Sequence, residues 1–106
     1  REVADISADD IRAINRGFGG GVELTGNADT VIANMAYRDG PLEKIASSIR
    51  DIAGRHLFND GNKRTAQAVA ERMWGPGADP AKIRSVVDGV ATGRLRSVED
   101  IARALE

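Results

Sequence analysis

The chain has 106 residues, of which 42% are hydrophobic and 29% are charged, and this composition predicts a single globular domain over residues 1–106. The net charge of −1 argues against a strongly basic nucleic-acid binder, and the absence of cysteine excludes disulfides and thiolate metal sites. No uninterrupted apolar run approaches the ~20 residues of a membrane-spanning helix, so we expect neither a nucleic-acid nor a membrane partner.

The first predicted helix begins at a capping signal and ends at a glycine cluster. Ser7 and Asp10 have the spacing of a capping box, in which each side chain bonds the backbone of the other. Glycines at 17 and 19–21 should stop this helix. The residues after these glycines predict at most one short extended piece, and we expect the rest of the fold to be all-α.

Each later helix also starts at a recognisable residue. An N-cap, a first-turn proline or both precede each apolar stripe with helical spacing. The starting residues are Asn27, Pro41, Gly61 or Asn62, Asp79 and Ser97, the last in a second capping box with Asp100. Including the helix after Ser7, these signals predict a compact all-α domain of about six helices with at most a short extended flap.

The segment between the third and fourth predicted helices concentrates the residues suited to chemistry. His56 is the chain's single histidine, and an imidazole titrates near neutrality and can act as a general base. Asp60 offers a hard oxygen ligand for Mg²⁺, and Gly61 lets the backbone approach a ligand closely. Lys63 and Arg64 add positive charge at a helix N-terminus, where phosphates bind readily.

Taken one at a time, these residues are ordinary, because a loop histidine is usually solvated and Asp-Gly is a turn signal. In order, His56-Leu-Phe58-Asn-Asp60-Gly61-Asn62-Lys63-Arg64 resembles the signature of the Fic/Doc (Fido) family. Lysine at position 63 and glutamine at position 67, where the Fic branch has its final arginine, resemble the Doc (death-on-curing) branch. The stretches 6–11 and 90–102 also resemble the two ends of Doc.

The resemblance implies a small helical toxin that uses ATP and Mg²⁺ as a nucleotide-dependent protein kinase. A Doc-like member would phosphorylate a threonine of elongation factor Tu and block translation. A cognate antitoxin or immunity protein would neutralise it. We expect it to act in the bacterial cytoplasm, either as a free protein or after delivery as part of a larger polypeptide.

The same resemblance implies a role for each residue of the motif. His56 would be the general base, and Asp60 would orient His56 or bind Mg²⁺. The residues Gly61, Asn62, Lys63 and Arg64, together with Asp60, would bind the nucleotide phosphates, and Phe58 would anchor the loop in the core. A flap formed by Val22, Glu23, Leu24 and Thr25 would dock the target segment in extended form, and residues 34–40 are a rival location for this flap.

Two alternatives to the kinase remain. A Fic-type AMP transferase shares the motif, and only Lys63 and Gln67 argue against it. Lysine fills space that glycine would leave for a phosphate, so the nucleotide should lie differently and present another phosphorus. A non-catalytic module that binds nucleotide or antitoxin is the second alternative, and the presence of both His56 and Asp60 counts against it.

Overall fold

Most helices begin after a residue whose side chain caps the first turn, namely Ser7, Asn27, Asp79 or Ser97. A computed structural model describes residues 2–106 of the chain. Its helices are α1 (Ala8–Gly17), α2 (Ala28–Ala36), α3 (Pro41–Ile49), α4 (Asn62–Trp74), α5 (Pro80–Ala91) and α6 (Val98–Leu105). These six helices confirm the all-α prediction. None of the helices in this part of the chain is long and apolar enough to cross a bilayer.

The two predicted capping boxes differ. At α1 the box is complete, with Ser7 Oγ accepting from Asp10 N at 3.0 Å and Asp10 accepting from Ser7 N at 2.9 Å. Hydrogen bonds from the Ser7 backbone and hydroxyl hold the pKa of the Asp10 carboxyl below its usual value. At α6, Ser97 Oγ accepts from Asp100 N, but the Asp100 carboxylate pairs with Arg103 at 3.0 Å. The second box is therefore only half formed.

The core is built around α3, which contacts α2, α4 and α6. All residues from 45 to 49 on this helix are buried. Leu57 and Phe58, which come after α3 in the loop, are each 2% exposed and belong to the same apolar cluster. Two buried side chains thus fix the loop that leads to α4.

The end of α3 has a geometry that the sequence did not indicate. Arg50–Gly54 forms a π-helical turn, in which Arg55 N donates to Arg50 O at 3.1 Å. The Asp51 carboxylate is 4% exposed and accepts from Arg50 Nε at 3.1 Å. It also accepts from Asn34 Nδ2 at 2.8 Å and lies 3.5 Å from Arg55 Nε. These partners compensate the burial of the carboxylate, and π-turns of this kind are frequent at functional sites.

Candidate active site

An open cleft of about 730 Å³ lies where the loop after the π-turn meets the start of α4. Its lining consists of Phe18, His56, Asn59, Asp60, Gly61, Asn62, Lys63, Arg64, Ala91 and Thr92. The structure therefore brings the predicted base and every predicted phosphate-binding residue to one surface. Phe58 does not line the cleft, because it is buried beneath the loop.

His56 has an unusual backbone conformation at the edge of this cleft. Its φ is +51°, which makes it the one non-glycine residue with positive φ among residues 2–106. Such a conformation is uncommon and clusters at functional sites. The Thr25 hydroxyl lies 2.9 Å from the carbonyl oxygen of Arg55 and 3.1 Å from that of His56, which steadies this turn. The His56 side chain is exposed, and within the described residues its imidazole makes no hydrogen bond or ion pair, so it can accept a proton from a ligand.

The start of α4 has the features of an anion-binding loop. Gly61 is the N-cap of α4, has φ +72° and provides no side-chain cap, so the first N–H groups of the helix remain for a ligand. A Cβ at position 61 would lie 3.0 Å from both the Cβ and the carbonyl oxygen of Phe18, which explains the glycine. Asp60 Oδ1 accepts from Gly61 N at 2.8 Å, and this bond directs the Asp60 carboxylate to its own loop instead of to His56.

The Asn62 side chain binds the backbone of the loop that precedes α4. Its Nδ2 donates to Phe58 O and its Oδ1 accepts from Phe58 N, both at 2.8 Å. Phe58 is in turn buried in the core. The side chain expected on a phosphate oxygen is therefore engaged on both ends with the backbone of the loop that carries His56.

The two cations of the motif are largely exposed at the cleft. Lys63 Nζ lies 3.3 Å from Asp88 Oδ1 on α5, and the two side chains are 61% and 49% exposed. Exposed pairs of this kind contribute little free energy, so the ammonium group can leave Asp88 for a phosphate. Arg64 makes no ion pair or hydrogen bond with its side chain within residues 2–106, and its guanidinium can grip phosphate oxygens.

A metal ion at this site would need ligands from a bound nucleotide in addition to those from the protein. No group of three or more His, Asp or Glu side chains that could hold a metal occurs in the part of the chain that the structure describes. Mg²⁺ is commonly held by one or two carboxylates, water and substrate phosphates. The donor set present, Asp60 beside an anion-binding helix terminus, fits Mg²⁺ that arrives with a nucleotide.

The predicted extended piece lies directly against residues 55–61, which we call the motif loop. Leu24 N donates to Leu57 O at 2.7 Å, and Asn59 N donates to Val22 O at 2.9 Å, which forms an isolated antiparallel bridge between Glu23 and Phe58. Val22 and Leu24 are 53% and 63% exposed. We call residues 22–25 the flap.

Glu23 ties the flap to the helices beneath it. Its carboxylate accepts from Arg12 Nε at 3.1 Å and from Ala28 N at the start of α2. Arg12 also pairs with Asp29 and Asp9, and its hydrogen bonds to Asp29, to Glu23 and, least, to Asp9 raise the pKa of its guanidinium above the usual value. The flap is therefore held from below while its apolar side chains face outward.

A family model described as the Fic/DOC family matches residues 5–73. The match includes α1, the flap, the π-turn, the motif loop and α4 up to its penultimate residue. The chain belongs to the Fic/DOC family. Proteins of this family generally transfer nucleotide-derived groups to other proteins. Neither the curated proteins nor the solved structures that were compared gave a significant match to this chain.

Several residues that line or support this Fic/DOC cleft were not predicted from the sequence. Phe18 forms one wall, and Ala91 and Thr92 form another at the end of α5, which lies outside the matched range. Asn15 is fully buried behind the loop. The sequence carried one signal for it, since it lies four residues after Ile11 on the apolar face of α1, where a polar residue needs buried partners.

Proposed function

We propose that this protein is a Doc-like toxin that transfers the γ-phosphate of ATP to a protein hydroxyl, a threonine of elongation factor Tu in the leading form of the proposal. The observation that carries it is the joint presence, on one open cleft, of an exposed histidine and an uncapped helix N-terminus with two exposed cations. These are the parts that phosphoryl transfer requires, because its catalysis consists mainly of positioning and charge stabilisation.

In this mechanism His56 is the base. Its imidazole takes the proton of the target hydroxyl as the oxygen attacks the γ-phosphorus, and the bond from that phosphorus to the β-phosphate oxygen breaks to release ADP. The N–H groups at the start of α4 bind the phosphates, and Arg64 neutralises the charge that develops on the transferring group. Mg²⁺ bound with the nucleotide would neutralise further charge, and Asp60 is the residue that would hold it.

The flap is suited to the target segment. Val22 O and Leu24 N bond to the motif loop, so the N–H and C=O of the intervening Glu23 point to the opposite edge. Neither group has a partner among residues 2–106. An extended target segment can add to this edge as a short strand, which would bring its hydroxyl beside His56.

Lys63 favours kinase over AMP transferase. Its stem runs from the first turn of α4, next to the anion loop formed by Asp60 and Gly61, towards Asp88 on α5, across the space that glycine would leave open. A nucleotide bound beside this cation should be displaced relative to one that rests on bare backbone. Adenylyl transfer on the same motif is the alternative, and the identity of the transferred phosphorus separates the two reactions.

The proposal includes two properties that rest on the likeness to Doc alone. One is a cognate antitoxin or immunity protein that neutralises the toxin. The other is action in the bacterial cytoplasm, where elongation factor Tu is found. Co-purification with an antitoxin expressed from a neighbouring gene would test the first, and growth arrest on intracellular expression would test the second.

The deciding experiment uses ATP labelled at either the α- or the γ-phosphorus. The domain is incubated with bacterial lysate and with purified elongation factor Tu, beside His56→Ala and His56→Asn. Asparagine tolerates positive φ, so the second variant removes the base while it keeps the backbone conformation. We expect label only from the γ-position and only with the native histidine. Label from the α-position would establish an AMP transferase, and nucleotide binding without label would support a binding module.

A further inference from the structure

One buried amide joins the anion loop to the flap. Asn15 on α1 is 0% exposed. Its Nδ2 donates to the carbonyl oxygen of Asp60 at 2.8 Å and to Thr65 Oγ1 at 3.1 Å. Its Oδ1 accepts from Gly21 N, next to the flap, at 2.7 Å. Both amide hydrogens and the amide oxygen are therefore in use, each on a different segment.

All partners of the Asn15 side chain lie in segments that form or adjoin the candidate active site. Within residues 2–106, the side chain of Asn15 bonds neither α2, α3, α5 nor α6, and its partners lie immediately before the flap, in the anion loop and in the first turn of α4. A buried amide that loses one of these partners leaves an unsatisfied polar group, so its position is strongly constrained. Because they are hydrogen-bonded to this amide, the positions of the Asp60 carbonyl and the Gly21 N–H are constrained as well.

Gly20 shows how closely the backbone packs on this amide. Its N–H donates to the backbone oxygen of Asn15 at 3.2 Å. A Cβ at position 20 would lie 2.1 Å from Asn15 Oδ1, far inside van der Waals contact. Any side chain at position 20 must therefore displace the amide. Glycine at this position is required by the close approach and not by its φ, which is not positive.

We propose that Asn15 is a positioning residue that holds the anion loop and the flap in one fixed relation, so that nucleotide binding and target binding depend on the same buried amide. The expected effects on nucleotide and target binding rest on the proposed function. The coupling of the two segments through the Asn15 side chain does not depend on which reaction the protein catalyses.

Gly20→Ala tests the coupling without a change to any residue of the cleft. Gly17→Ala is the matched control, because a Cβ there meets nothing within 4 Å and its φ is not positive. We expect Gly20→Ala to raise both the Kd for MgATP and the KM for the target about tenfold, the factor for one lost net hydrogen bond. Gly17→Ala should change neither. If Asn15 only supports the fold, Gly20→Ala would lower the unfolding midpoint but leave the Kd for MgATP and the KM for the target unchanged. That result would overturn the proposal.

Asn15→Asp is the second variant and decides the matter if Gly20→Ala does not fold. It keeps the acceptor for Gly21 N but turns a carboxylate oxygen towards the Asp60 carbonyl. We expect a rise in the Kd for MgATP that exceeds the rise in the KM for the target. Equal values for the wild type and this variant would contradict the proposed contact.

Amide hydrogen exchange separates failure of this inference from failure of the proposed function. The N–H groups of Leu24 and Asn59 cross between the flap and the motif loop and report on their relation. We expect both to exchange about tenfold faster in Gly20→Ala than in Gly17→Ala, whether or not the wild type transfers label. Wild-type exchange at both amides in Gly20→Ala would overturn the coupling even in an active enzyme.

Discussion

Asn62 offers a sharp test of how the motif works, because its amide bonds the loop itself. Asn62→Ala removes two hydrogen bonds of 2.8 Å to the N–H and C=O of Phe58. At about 1 kcal/mol of net contribution each, the free energy of unfolding should fall by about 2 kcal/mol. Urea unfolding followed by the fluorescence of Trp74, the single tryptophan, measures this change. Transfer should fall as well, since His56 lies on the loop that Asn62 holds.

Asn59→Ala is the matched control. Asn59 lies in the same loop, is exposed and makes one side-chain hydrogen bond, from Val22 N at 3.1 Å. Its replacement should cost about 0.5 kcal/mol, at the low end for a single exposed bond. The reasoning is refuted if Asn62→Ala is as stable as Asn59→Ala and yet loses nucleotide affinity. That pattern would place the Asn62 amide on the phosphates, as the motif alone implies.

Three further predictions concern the cations of the cleft and the cap of α1. Arg64→Ala should lower the transfer rate about a hundredfold in a single-turnover assay, as loss of a charge clamp on a transferring group does; near-wild-type transfer would remove Arg64 from the site. Lys63→Gly should shift the transferred label from the γ- towards the α-phosphorus, and unchanged products would show that Lys63 does not select the phosphorus. Asp10→Ala should lower the unfolding midpoint at pH 7. Because Ser7 depresses the pKa of folded Asp10, this deficit should be complete above the ordinary aspartate pKa and vanish as the pH falls through the lowered value. A deficit that persists in acid would contradict this origin of the cap's stability.

The parts of the fold that were predictable are those that depend on near neighbours in sequence. Ser7 and Asp10 are three residues apart, so their capping box could be identified without a structure. Pro41 likewise marks the first residue of α3. The half-formed box at α6 shows the limit of such patterns, because Arg103 competes for Asp100 and the spacing does not show which partner prevails.

The parts that were not predictable depend on long-range contacts. Asn15 bonds residues 45 and 50 positions away, and no local pattern indicates which partners a buried amide will meet. Asn62 was recognised as a motif residue, but its bonds to Phe58 depend on how the loop folds back on itself. The motif located the cleft, whereas the contacts that hold its parts together required the structure.

The π-turn has a consequence for how this chain can change during evolution. Arg50 O pairs with the N–H five residues later, and Asp51 contacts the guanidinium groups of Arg50 and Arg55 at the two ends of the turn. Loss of one residue here would convert the wide turn to an ordinary one and rotate the motif loop by about 100° about the helix axis. His56 would then face away from the cleft. We therefore expect the count of residues from α3 to His56 to stay constant among homologous chains.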